Sequence, residues 1–133
     1  MEQEKRKILI VDDDSFLLDM YALKFSQNNF EVYTAPDGVY TLEKMKGGLE
    51  PDILLIDIIM PEMDGFKTLE QIKEQGLCPK CLKIILSNKS DPRDMEEGKR
   101  LGVVGYIVKA NYTPIEVIDQ VVGILEKNNS VSK

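Results

Sequence analysis

Apolar residues fall into five short runs along the chain, each followed by a segment in which they recur at helical spacing. Lys7–Val11 (KILIV) predicts a buried strand. Phe30–Ala35 (FEVYTA) alternates more, as an edge strand does. Ile53–Ile56 (ILLI) is apolar on both faces and predicts a central strand. Leu82–Leu86 (LKIIL) and Val103–Val108 (VVGYIV) predict the fourth and fifth strands.

The intervening segments carry helix starts and stops. From Ser15 to Asn28 the inward positions are Leu17, Leu18, Tyr21 and Phe25, with Asn28-Asn29 as the stop. Asp37-Gly38 opens a second helix with Val39, Leu42 and Met45 inward, and Gly47-Gly48 closes it. Asp64-Gly65 opens a third, with Phe66, Leu69 and Ile72 inward and Gly76 at its end. Asp91 caps a fourth, with Pro92 in its first position and Gly102 after it. Thr113-Pro114-Ile115-Glu116 has the form of a capping box and opens a fifth, with Ile118, Val121, Val122 and Leu125 inward. The polar tail Asn128–Lys133 is expected to fray.

Apolar strands that alternate with helices imply a parallel sheet covered on both faces. Five such units in 133 residues predict a single doubly wound α/β domain, strand order 2-1-3-4-5, with a core over about residues 6–127. No linker or low-complexity segment interrupts it.

Composition narrows the function. With a net charge of −6 the chain lacks the basic surface that direct nucleic-acid binding or docking on anionic lipid requires. The first six residues are rich in charge and lack the apolar core of a signal peptide, no run reaches membrane-spanning length, and a cytoplasmic location is expected. The chain has no histidine, which removes the usual hydrolytic triads, imidazole-ligated zinc and any phosphohistidine of its own. Two cysteines are too few for a disulfide scaffold.

In an open parallel sheet of this order, ligands bind beyond the carboxyl ends of strands one and three. Strand one ends in Asp12-Asp13, strand three in Asp57, strand four in Ser87 and strand five in Lys109. Carboxylates gathered there repel one another, and a divalent cation relieves that penalty. An all-oxygen site suits Mg²⁺, or Mn²⁺, better than zinc. A carboxylate nucleophile at Asp57, a metal, an ammonium and a hydroxyl form a set for phosphoryl transfer, with an acyl phosphate as product. Asp14 reads as a helix cap.

Four segments carry a resemblance: ILIVDDD (Ile8–Asp14), DILLIDIIMPEMDGF (Asp52–Phe66), IILSN (Ile84–Asn88) and GYIVKA (Gly105–Ala110). Over about residues 6–127 the chain resembles the receiver domains of response regulators in two-component systems. The resemblance implies a flavodoxin-like fold and makes Asp57 the phosphoacceptor. Asp13 becomes the main direct metal ligand, with Asp12 beside it and the Ile59 backbone carbonyl completing the protein ligands. Ser87 becomes the switch hydroxyl, Lys109 the contact to a phosphoryl oxygen, and Tyr106 the rotating aromatic of an α4–β5–α5 signalling surface. It further implies a sensor histidine kinase or a histidine phosphotransfer protein as phosphodonor. A protein target downstream and a homodimer that depends on phosphorylation also belong to its repertoire. With no output domain in the sequence, the chain is a stand-alone regulator or a piece of a longer protein, and stand-alone or phosphorelay use is the expectation. Such a domain catalyses only its own phosphorylation and slow dephosphorylation.

Three positions depart from the family pattern. Asn88 stands where a small residue is usual. Ile59 offers no polar group to guide a hydrolytic water and Lys89 is cationic, which together predict slow self-dephosphorylation. Lys109 precedes Ala110 where the family commonly has proline after a cis bond, and a cis bond before Ala would cost about 3 kcal/mol. Two rival chemistries are also written in the chain. Cys78-Pro79-Lys80-Cys81 is a C-x-x-C motif that fits a redox pair or half a zinc site. Asp12-x-Asp14 has the spacing of the nucleophile motif of phosphatases similar to the haloacid dehalogenase group.

Overall fold

The computed structural model describes residues 5–131. Its elements are β1 (Arg6–Val11), α1 (Ser15–Gln27), β2 (Phe30–Ala35), α2 (Gly38–Lys46), β3 (Ile53–Ile56) and α3 (Gly65–Glu74). They continue with β4 (Leu82–Ser87), α4 (Pro92–Arg100), β5 (Gly105–Val108) and α5 (Pro114–Val131). All strands are parallel, in order β2-β1-β3-β4-β5, as the pattern of apolar runs predicts.

Strand alternation divides the core between the two sheet faces. Ile8, Ile10, Ile53, Leu55, Ile84, Leu86 and Ile107 pack with Leu18, Tyr21 and Phe25 of α1 and with Val117, Ile118, Val121 and Leu125 of α5. Leu9, Val11, Leu54, Ile56 and Ile85 pack with Leu42 and Met45 of α2 and with Leu69 and Ile72 of α3. All four residues of β3 are fully buried, the burial expected of a central strand.

The helices begin where side chains can satisfy their free N–H groups. Asp14, Asp37, Asp64 and Asp91 accept from the backbone N–H of Leu17, Tyr40, Lys67 and Arg93 at 2.8–3.1 Å. At α5 the Thr113 hydroxyl accepts from the Glu116 N–H at 3.3 Å, and Glu116 accepts from the Thr113 N–H at 2.8 Å. This is the reciprocal capping box read from the sequence.

One detail differs from the sequence reading, one extends it and one settles a point it left open. Val39 is 44% exposed, and Thr41 takes the buried place on α2, its hydroxyl donating to the Asp37 carbonyl at 2.9 Å. α5 continues to Val131, into the stretch expected to fray, while residues 132–133 and 1–4 lie outside the described part. After β5 the chain makes a 3₁₀ turn over Lys109–Asn111, and no cis peptide bond occurs among the described residues.

Candidate functional site

β1 and β3 are hydrogen-bonded neighbours, yet the chain leaves them in opposite directions across the sheet. A crevice therefore opens past their carboxyl ends. Both acids at its base are fixed through the backbone. The Asp12 N–H donates to the Ala35 carbonyl at 3.2 Å and the Asp57 N–H to the Val11 carbonyl at 3.0 Å. The crevice encloses about 320 Å³ and is lined by Asp12, Asp13, Asp14, Leu17, Asp57, Ile59, Ser87, Asn88 and Lys109. Six residues singled out from the sequence thus meet in one place: Asp12, Asp13, Asp57, Ile59, Ser87 and Lys109.

Carboxylate oxygens of Asp12, Asp13 and Asp57 lie within 4.8 Å of one another. Asp12 and Asp57 are buried and Asp13 is exposed, so the cluster opens towards solvent on one side. Lys109 reaches in from the far side. Its Nζ lies 2.7 Å from Asp12 Oδ2 and 2.8 Å from Asp57 Oδ2. The second Asp57 oxygen accepts from the Ile59 N–H at 3.2 Å. Asp12 Oδ1 accepts from the Asp14 N–H at 3.0 Å.

These contacts set the local acidities. Burial pushes the Asp12 carboxyl above its ordinary value and outweighs the hydrogen bond from Lys109. Burial alone would lower Lys109, but the hydrogen bonds to Asp12 and Asp57 prevail and hold it above 10.5. The lysine touches two carboxylates and each carboxylate touches one lysine, so the ammonium is the better stabilised partner.

Lys109 cannot neutralise the cluster by itself, because three carboxylates face one ammonium. The oxygen donors and the open side fit a small hard dication such as Mg²⁺. The Ile58–Ile59 backbone turns away from the sheet here, aided by Gly65. The Gly65 N–H donates to the Ile58 carbonyl at 2.7 Å, and a β-carbon at Gly65 would overlap the Asp57 carbonyl oxygen.

Ser87 ends β4 and is fully buried, its hydroxyl accepting from the Lys89 N–H at 3.3 Å. Tyr106 does not line the crevice. Its hydroxyl donates to the Lys89 carbonyl at 2.7 Å, and burial, then the nearby Asp94, pushes its pKa up to about 12. Lys89 Nζ pairs with Asp94 of α4 at 3.2 Å. Lys89 is thus tied at its amide, its carbonyl and its ammonium, which fastens the loop after β4 to both Ser87 and Tyr106. Sequence reasoning marked Lys89 as a cation near the site but missed Asp94. The five-residue interval is compatible with loop and helix alike and gives no periodic signal. Asn88 and Leu17 also line the crevice, and only Asn88 stood out in the sequence.

Comparison with known proteins agrees with this geometry. The profile of the response regulator receiver domain matches residues 8–121. The alkaline phosphatase synthesis transcriptional regulatory protein PhoP of Bacillus subtilis is 30% identical over 123 residues, 92% of this chain and 50% of that protein. The DNA-binding response regulator MtrA of Mycobacterium tuberculosis is 28% identical over 97% of this chain and 54% of its own length. The chain therefore spans about half the length of these relatives. Among solved structures, chemotaxis protein CheY4 of Vibrio cholerae superposes with a TM-score of 0.82 at 27% identity, covering 90% of this chain and 98% of that one. A CheY-like receiver domain protein of Methanospirillum hungatei gives 0.83 at 25% identity, covering 95% and 98%.

Proposed function

The chain belongs to the response regulator receiver domain family, and from that premise we propose that it accepts a phosphoryl group from a partner's phosphohistidine onto Asp57, with the help of Mg²⁺. The observation that carries this reading is the Asp57 carboxylate itself. It stands at the end of the central strand, within 4.8 Å of two further carboxylates and 2.8 Å from a buried ammonium.

In the reaction an Asp57 oxygen attacks phosphorus, the P–N bond of the donor breaks and an acyl phosphate forms. The leaving imidazole takes up a proton. Ile59 and Lys109 hold the carboxylate oxygens and so fix the direction of attack, which is where most of the catalysis of such transfers lies. Asp12, Asp13, Asp57 and the Ile59 carbonyl would hold the dication. When bound, it supplies positive charge beside the phosphoryl oxygens. Lys109 is positioned to follow the charge from carboxylate to phosphoryl oxygen.

The modified Asp57 carries up to about two further negative charges and three acceptor oxygens. Ser87 and Lys109 are the donors within reach of the crevice. A shift of Ser87 towards the phosphoryl group pulls on the Lys89 N–H that it binds, and hence on the carbonyl that holds Tyr106. By this route the modification alters the surface made by α4, β5 and α5. A sensor histidine kinase or a histidine phosphotransfer protein is the donor, and a downstream protein, or a second copy of the chain, reads the altered surface. Among the described residues no helix is long and apolar enough to cross a membrane, and we place the exchange in the cytoplasm.

The test is intact-protein mass spectrometry after treatment with acetyl phosphate. The wild type gains one phosphate in the presence of Mg²⁺ and none after chelation, and Asp57→Asn gains none. A phosphate on Asp57→Asn, or labelling indifferent to Mg²⁺, overturns the assignment.

A further inference from the structure

The C-x-x-C motif plays no part in phosphoryl transfer. Cys78 and Cys81 lie on the turn that enters β4, at the end of the strand opposite Ser87. Both are free thiols and each is only 6% exposed. The Cys81 N–H donates to the Cys78 carbonyl at 3.2 Å, which closes a four-residue turn with Pro79 in its second position. A turn closed in this way keeps its end Cα atoms within about 7 Å. A disulfide spans roughly 4.4–6.8 Å between Cα atoms. The backbone thus holds the two Cα atoms close to disulfide range before any reaction. Cys78 has φ 45°, a left-handed conformation that non-glycine residues rarely adopt, and it aims the turn back on itself.

The two thiols differ in character. The neighbouring Cys78 thiol holds the pKa of Cys81 below the ordinary thiol value, and Cys81 in turn pushes that of Cys78 up. Lys83 adds to the effect. It lies two residues on, on the same face of the strand, and its Nζ donates to the Cys81 carbonyl at 3.3 Å. Redox pairs commonly gain thiolate stability from a helix N-terminus; here a strand lysine supplies the positive charge. A metal site is disfavoured. The only group of three or more His, Cys, Asp or Glu side chains placed to hold a metal among the described residues is Asp12, Asp13 and Asp57.

We propose that Cys78 and Cys81 form a reversible dithiol–disulfide site, oxidised by a small peroxide, in which Cys81 attacks and Cys78 resolves. The Cys81 thiolate attacks a peroxide oxygen and the O–O bond breaks. Cys81 becomes a sulfenic acid, and the departing hydroxide leaves as water after taking up a proton. The Cys78 sulfur then attacks the Cys81 sulfur. The S–S bond forms, the S–O bond breaks, and the Cys78 proton leaves with the hydroxide as a second water. Two thiols have lost two electrons and one peroxide has become two waters. An external dithiol reverses the oxidation by exchange.

With both cysteines only 6% exposed, a small peroxide or a small dithiol is favoured over the thiol of a bulky protein partner. Closing the bond removes the S–H that Cys78 directs at the buried Pro51 carbonyl, 3.5 Å away in the loop before β3. The six residues of β4 separate this site from Ser87 by about 20 Å. Oxidation therefore leaves phosphate uptake at Asp57 unchanged.

The full chain is treated with hydrogen peroxide, alkylated, and analysed by intact mass and peptide mapping under non-reducing conditions. The wild type should lose two hydrogens, show a Cys78–Cys81 link and recover its mass with dithiothreitol. Cys78→Ser should give a sulfenic acid on Cys81 that dimedone traps, and Cys81→Ser should give neither a disulfide nor a trapped adduct. An unchanged mass, disulfides only between chains, dimedone capture at Cys78, or stoichiometric zinc on the reduced protein overturns the proposal.

Discussion

Lys109 sits with its ammonium between Asp12 and Asp57, and the side chain is only 8% exposed. Removing one partner of a buried ion pair leaves uncompensated charge and typically costs about 3 kcal/mol. Lys109→Met should lose about that much in Mg²⁺-free urea unfolding at neutral pH. The pH dependence has a definite sign. The folded pKa of Lys109 is held above its ordinary 10.5, so its contribution is complete below 10.5 and is lost as pH rises through the folded value. The wild-type advantage over Lys109→Met should therefore shrink only in strongly alkaline solution. An advantage that disappears by pH 9 contradicts the paired arrangement. At this scale the sequence was legible wherever a residue type conflicts with its position. Acids at the ends of apolar strands are conspicuous, because burying them needs a partner. The bond from Tyr106 to the Lys89 carbonyl was not legible, since any residue supplies a carbonyl.

Helix starts were equally plain among the elements, each marked by an aspartate or threonine, with proline or glycine next to it in every helix after α1. Element ends were less so. β5 begins at Gly105 and not at Val103, because Val103 turns back to donate to the Gly98 carbonyl at 2.9 Å. The inward face of α2 was misjudged at Val39 because Thr41 satisfies its hydroxyl within the helix and so can be buried without penalty. Gly65 shows how an element start serves the site. α3 can approach Asp57 only without a side chain there, since a β-carbon would meet the Asp57 carbonyl and the Ile58 Cα. Gly65→Ala should cost about 1–3 kcal/mol in urea unfolding and slow phosphate uptake. Gly123→Ala is its control. Nothing lies within 4 Å of a β-carbon there, and alanine inside a helix should stabilise by about 0.5–1 kcal/mol. Equal effects at the two positions would show that the close approach of α3 has no cost.

For the molecule as a whole, strand order followed from apolar runs and short crossovers, because a parallel sheet covered on both faces has few alternative windings. Asp57 is far from Asp12 and Asp13 in sequence and adjacent to them in space, so its repulsion with that pair is a property of the folded state alone. A cation that binds only this state stabilises it by mass action, about 2.7 kcal/mol at 100 times its Kd. For a domain of this size that amounts to about 10 °C in Tm. Calorimetry with and without Mg²⁺ should show this rise for the wild type and little of it for Asp13→Asn. A wild type indifferent to Mg²⁺ would remove the metal from the reading.

β3 has neighbours on both sides and no exposed residue. Whatever happens to Asp57 happens at the end of the part least able to yield. A close-packed centre does not deform by small degrees, so an added charge there must be accommodated at the margins. The loops that follow β4 and β5 hold their place by a few hydrogen bonds and the ion pairs of Lys89, Asp91 and Lys109, and it is they that can give way. The stiffness of the middle is thus what makes the rim informative: a softer third strand would absorb the perturbation and pass nothing on.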